Sequence, residues 1–166
     1  MSQQLLPGYL IRAGSGLDRA LLVKFMQRTY QDMFPNQDFS HLARTVDQYY
    51  SPETPLWWVE KKGDSHSPTL PIPPVPIACL WAGNAIDQVY GDRHVHIFLL
   101  YVVLEHRRLG IGTALMRYVE DWARLRGDRQ IGLQVFQANT PAINLYNRLG
   151  YQPQSIWMVK TLQQQS

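Results

Sequence analysis

Apolar residues recur along this chain with two periods, and the switches between them set out the elements. "GYLIRAG" (8–14) alternates as a short strand. From Ser15 the period lengthens: Leu17, Leu21, Leu22, Phe25, Met26 and Tyr30 share one face of a helix that Pro35 closes. "DFSHLARTVDQYYS" predicts a second, shorter helix ending before Pro52. "PLWWVEKKG" (55–63), "IACLWAGNAID" (77–87) and "HVHIFLLYVVL" (94–104) predict three strands, and the proline density of 64–76 makes a surface loop between the first two. A third helix follows, with Ile111, Leu115, Val119, Trp122 and Ala123 as its apolar stripe and Gly127 as its C-cap. "QIGLQVFQ" (130–137) predicts a strand. "TPAINLYNRLG" (140–150) predicts a helix with Pro141 in its first turn and Gly150 at its end. "QSIWMVKTL" (154–162) predicts the last strand.

The strand–helix–strand unit over 94–136 implies a parallel pair, whereas the three loop-joined strands before it imply antiparallel pairing. The expected architecture is therefore a mixed α/β sheet. No repeat and no linker divides the chain, so one domain over 1–166 is expected.

Composition narrows the classes. The chain carries a formal charge of +3 and a sequence pI near 9.1. That suits a small polyanionic ligand or an ordinary solvated surface. No Lys/Arg block is long enough to track a nucleic-acid backbone, so no nucleic-acid partner is expected. The lone cysteine, Cys79, lies in an apolar run and reads as a small buried residue; it offers no internal disulfide. No apolar run reaches the roughly 18 residues of a membrane span, and the first residues lack the charged-then-apolar order of a signal peptide, so a cytoplasmic protein without a membrane partner is expected. His41 and His66 stand outside any metal-ligand spacing, and no metal is expected.

One stretch carries chemistry: "EHRRLGIGTAL" (105–115), where Gly110 and Gly112 stand between a strand and a helix start. Glycines there let backbone N–H groups approach a ligand, and the first N–H groups of a helix lack intrahelical partners. Together with the helix dipole they suit an anion such as phosphate. A tight turn with glycines for packing alone is the other reading. The dinucleotide fingerprint fails at Leu115, and the phosphate-loop pattern with its lysine is absent.

The wider context resembles the GNAT superfamily, the acetyl-CoA-dependent N-acyltransferases. Val102 followed by Arg107-Arg108-Leu109-Gly110-Ile111-Gly112 is similar to the family's pyrophosphate-binding segment. "NTPAINLYNRLGY" (139–151) is similar to a second family block, with Asn139, Ala142, Leu145, Tyr146, Gly150 and Tyr151 in place. The resemblance implies a mostly antiparallel sheet of six to seven strands flanked by four helices, with one splayed parallel pair. It implies acetyl-CoA as cosubstrate, held through Arg107, Arg108, Leu109, Gly110, Ile111, Gly112 and Thr113. The pantetheine arm would lie in the splay against the backbone of Val102 and Leu104 and near Asn139, which otherwise serves its own turn. An amide at Val102 would stabilise the thioester oxyanion.

By the same resemblance Tyr146 is the candidate proton donor to the leaving thiolate; the alternative is a tyrosine packed on its helix's apolar face. His96 is the candidate base. It lies six residues before Val102, so strand alternation places the two on one face unless a bulge intervenes; His94 could relay. Glu105 reads as solvated. Some relatives that acetylate peptide N-termini have a glutamate where this chain has Gln134, which cannot act as a base. Arg108, Arg124, Arg126 and Arg148 could meet the ribose phosphate or stand in solvent. The acceptor, a small-molecule or peptide amine, is expected near Tyr30, Asp32, Phe34 and Asp38. An N-acetyltransferase is the leading reading, monomeric or homodimeric. The alternatives are a catalytically silent CoA-binding module of the same fold and an unrelated phosphate- or nucleotide-binding protein.

Overall fold

In the computed structural model, residues 1–63 and 74–163 are described. They form one six-stranded sheet in sequential order: β1 (Gln3–Leu6), β2 (Tyr9–Ala13), β3 (Leu56–Lys61), β4 (Pro76–Ile86), β5 (Arg93–Val102) and β6 (Ile131–Leu133). Neighbours are antiparallel except β5 and β6, which run parallel. Four helices flank the sheet: α1 (Arg19–Met33), α2 (Leu42–Tyr49), α3 (Ile111–Arg126) and α4 (Thr140–Arg148). This is the mixed sheet with four helices that the periodicity and the family resemblance predicted. The loop expected over 64–76 lies almost wholly outside the described residues. Among those residues no helix is long and apolar enough to cross a membrane.

Local chemistry explains the helix ends. Ser15 opens α1's leading turn with a capping box to Asp18. Gly127, at φ +90°, ends α3 with its N–H on Arg124 O and the next N–H on Ala123 O. Asn139 caps α4 by accepting from the Ala142 N–H at 3.3 Å.

The sheet separates two cores. On one face, Ile11, Trp57, Val59, Leu80, Val95 and Ile97 pack under α3 through Ile111, Leu115, Met116, Val119 and Ala123. On the other, Trp58, Cys79, Trp81, Leu99 and Tyr101 pack under α1 and α2 through Leu22, Phe25, Met26, Leu42 and Val46. Cys79 is fully buried there, and burial pushes its thiol up. Full burial contributes about 1.5–3 kcal/mol for each large apolar side chain, so α3 is held firmly and its N-terminus with it.

One irregularity redirects the sheet. Trp81 pairs with Leu99 and Ala82 with Ile97, leaving Phe98 as an extra residue in β5. Val95 and Ile97 face α3, but Leu99 and Tyr101, beyond the bulge, face α1 and α2. Gly83 makes the room: a Cβ there would lie 2.3 Å from Phe98 Cζ. Pairing of β5 with β6 stops at Ile97↔Leu133, immediately before the bulge, and the two chains part beyond it.

Three expectations change. β1, joined to β2 through Gly8 at φ +86°, adds a strand that the N-terminal sequence did not announce. β6 covers only three of the residues expected over 130–137, because the bulge turns β5 away from it. The strand expected over 154–162 pairs with no strand among the described residues; every residue there is irregular and exposed.

The overlap at Gly83 yields a stability prediction. Gly83→Ala should destabilise the fold by about 1–3 kcal/mol in urea unfolding, the range of an overpacked core. In a double-mutant cycle with Phe98→Ala, much of that penalty should disappear, because the ring it collides with is gone.

Candidate active site

The loop between β5 and α3 is built to leave amides free. Leu104–His106 forms a 3₁₀ turn, Arg108 adopts φ +62°, and Gly110 adopts φ +87° as the N-cap of α3. Arg107 through Gly110 are exposed, and no side chain caps the helix, so the N–H groups of its first turn are available to an anion. The two glycines have separate tasks. A Cβ on Gly110 would meet nothing within 4 Å, so its need is conformational. A Cβ on Gly112 would sit 3.2 Å from Leu145 Cδ2, so its need is the approach of α4 to α3.

Val102 stands at the mouth of the splay. It pairs with Ala78, and the next N–H, that of Val103, donates to Ile77 O at 2.9 Å. Antiparallel alternation therefore turns the Val102 N–H and C=O away from β4, toward the gap. Its carbonyl already has a partner: Arg107 Nε donates to it at 2.7 Å. The same guanidinium donates to Asp32 at 3.1 Å and lies 5.4 Å from the Tyr101 ring centroid. Leu104 lies outside β5, in the 3₁₀ turn, and its carbonyl accepts from the Arg107 N–H.

Tyr146 and His96 approach from opposite faces of the sheet. Tyr146, on α4, packs against the core under α3 and lies 5.8 Å from the Tyr151 ring. Burial pushes its phenol up to about 12. His96 sits before the bulge, on the α1 and α2 face, 5.9 Å from the Phe98 ring. Val102, after the bulge, turns its side chain to the α3 face. The shared face expected from plain alternation is thus lost, for the reason that alternation fails at a bulge. Burial first, and the neighbouring His94 second, hold His96 below the usual imidazole range, so it is neutral at pH 7. His94 Nδ1 lies 2.9 Å from Val95 O. Both imidazoles crowd over Gly132, whose missing Cβ would lie 3.1 Å from His94 and 3.4 Å from His96.

The other candidates sort by partner. Asp32 is engaged by Arg107, and Asp38 accepts from the Ser40 N–H and hydroxyl, which hold its carboxyl below the usual range. The Asn139 side-chain oxygen is committed to the α4 cap. Arg124 pairs with Asp121, and Arg126 with Asp128. Tyr30 and Phe34 meet Phe136, which follows β6, at 6.3 and 5.6 Å. These contacts join the end of α1 to the segment that follows β6. Phe136, Phe98, Gly83 and Gly132 escaped the sequence reading. Only the alternation of "QIGLQVFQ" put Gly132 and Phe136 on one face, and nothing local tied them to α1 or to the histidines. No group of three or more His, Cys, Asp or Glu is placed to hold a metal among the described residues.

Comparison with known proteins identifies the family and the fold. Over 67 residues the chain is 48% identical to a streptothricin acetyltransferase of Streptomyces lavendulae, covering 40% of this chain and 35% of that one. It is 26% identical over 132 residues to N-acetyltransferase family 8 member 3 of Rattus norvegicus, covering 80% of this chain and 52% of that one. The chain thus spans about a third to a half of the length of these relatives. A predicted acetyltransferase from Clostridium acetobutylicum, solved with acetyl-CoA, shares the fold at a TM-score of 0.70 and 18% identity, over 93% of this chain and 96% of that one. The signature of the acetyltransferase (GNAT) family matches residues 23–151, most of the chain from α1 through α4, and the chain belongs to that family.

Proposed function

We propose that this chain is an N-acetyltransferase that passes the acetyl group of acetyl-CoA directly to a primary amine, of a small molecule or a peptide, in a ternary complex. The observation that carries this reading is the slot where β5 and β6 stop pairing, with the outward Val102 amide at its mouth and the exposed residues 108–110 at the start of α3 beside it. On this reading the pyrophosphate sits at the turn and the extended arm lies along the slot.

The two faces divide the chemistry. The amine nitrogen attacks the thioester carbon from the α1 and α2 side, where Tyr30, Phe34 and Phe136 border the approach and His96 stands neutral. An N–C bond forms, and the carbonyl oxygen gains charge that the Val102 N–H stabilises. His96 takes the nitrogen's proton once bonding to carbon has made it acidic. The C–S bond then breaks toward the α3 face, where Tyr146 holds a proton. The phenol, pushed up to about 12 by burial, is a weaker acid than an ordinary thiol of ~8.5, so it would not give its proton to a free thiolate in solution. Burial that raises the phenol raises the thiolate's proton affinity too, and the proton passes as the C–S bond breaks.

Three measurements test this. Gly110→Ala forces a left-handed backbone costing about 1–2 kcal/mol on a residue with a Cβ. Titration calorimetry should show acetyl-CoA binding about tenfold weaker; unchanged binding would move the cofactor elsewhere. Tyr146→Phe should cut release of CoA thiol at least tenfold across an amine panel while acetyl-CoA affinity holds within about twofold. If release survives, Tyr146 is not the acid. For His96, the folded pKa lies below ~6.5, so the acid limb of the kcat/KM profile should fall below that value, with activity lost as pH drops and the imidazole protonates. His96→Gln should lower kcat/KM and flatten that limb; an unaltered limb would remove His96 as the base.

A further inference from the structure

The end of α1 touches both chains where they have parted. On the β5 side, Asp32 accepts from Arg107 at 3.1 Å, and the same guanidinium holds the Val102 carbonyl at 2.7 Å. On the β6 side, Tyr30 and Phe34 meet Phe136, just beyond Leu133, the last paired position of β6. The last turn of α1 therefore lies over the mouth of the slot. It does so on the sheet face that also carries His96.

This mouth is made of rings. Phe34 and Phe136 are 44% and 49% exposed, and they are grouped, with centroids 5.6 Å apart. Tyr30 stands behind them, stacked at 5.7 Å on the buried Phe39, so the group has a fixed floor. Exposed rings gathered at one place mark a surface that binds something apolar.

The charge of the same segment is already engaged. Asp32 is held by Arg107, and Asp38 accepts from the Ser40 N–H at 2.9 Å and its hydroxyl at 3.1 Å. A second ammonium group brought here would give up water against rings and meet the Arg107 cation beside a carboxylate that already has its partner. That cost is uncompensated and discriminates against a polycation. An apolar flank behaves in the opposite way, because ligand and rings shed water together and pack edge to face. Sites of this composition orient their ligand with few polar groups, the part left here to His96 and the Val102 amide.

We infer that the acceptor is a monoamine whose nitrogen lies beside an aromatic or bulky apolar group, which Tyr30, Phe34 and Phe136 receive. Polycationic amines are selected against at the same mouth. The inference rests on the acetyl-transfer reading above and assigns its substrate class.

Phenethylamine, phenylalanine amide and spermidine are the probes, with release of CoA thiol as the first readout and titration of the CoA-loaded protein as the second. Both aromatic amines should exceed spermidine by roughly tenfold or more in kcat/KM, and should bind more tightly in the same order. The better of the two tells a free aromatic amine from a peptide N-terminus. Phe136→Ala should raise KM for the aromatic amines about fivefold or more while kcat holds within about twofold. Phe136→Asp, and separately Phe34→Asp, should lower the aromatic-to-spermidine ratio by roughly thirtyfold, a reversal that loss of structure alone would not give. Spermidine used or bound better than both aromatic amines overturns the proposal, as does a ratio that neither substitution moves. If no probe releases CoA thiol, yet the CoA-loaded protein binds phenethylamine and Phe136→Ala weakens that binding, the acetyl-transfer reading fails and this one stands. Absence of binding by both aromatic amines overturns this one, whatever other amines are acetylated.

Discussion

Gly83 has no side chain, and the ring of Phe98 occupies the space one would need. That exchange lets β5 hold one residue more than β4 can pair, and the site depends on the result. The bulge bends β5 away from β6 and so opens the slot. It also reverses alternation, so that His96 faces α1 and α2 while the Val102 side chain faces α3. In the proposed reaction this separates the proton acceptor from the proton donor across the sheet. A regular β5 would have kept pairing with β6 and left no gap.

Around that gap the structure is tied together by a few strong contacts. The buried stripe of α3 fixes where its uncapped N-terminus points. Arg107 links the loop to the end of β5 through Val102 O and to the end of α1 through Asp32. Tyr9 and His106, 2.9 Å apart, join the same loop to β2. The amides are thus exposed on a loop held from three sides, the arrangement that binds an anion without first having to be ordered.

Much of this was legible in one dimension. The period of α3 marked its buried face, Gly127 and Pro141 marked helix ends, and Gly110 and Gly112 marked the turn, since each depends on residues within a few positions. The direction of β5 and β6 followed from the helix between them. The reach of the pattern ended where contacts are distant. Asn139 matched a family position, but only the backbone geometry commits its oxygen to Ala142. Asp32 looked free for a cationic amine until folding brought Arg107, 75 positions away, within 3.1 Å.

The sequence by itself determined which segments become helix and strand, and where backbone amides go uncovered, because periodicity, caps and glycine conformations are local properties. It could not determine the bulge, because an extra residue in β5 is defined only against its partner β4 and is permitted by a glycine 15 positions earlier. Nor could it determine the neighbour of residues 154–162. Their alternation specifies a strand, but a strand acquires its place only from the edge it meets, and among the described residues 154–162 meet none.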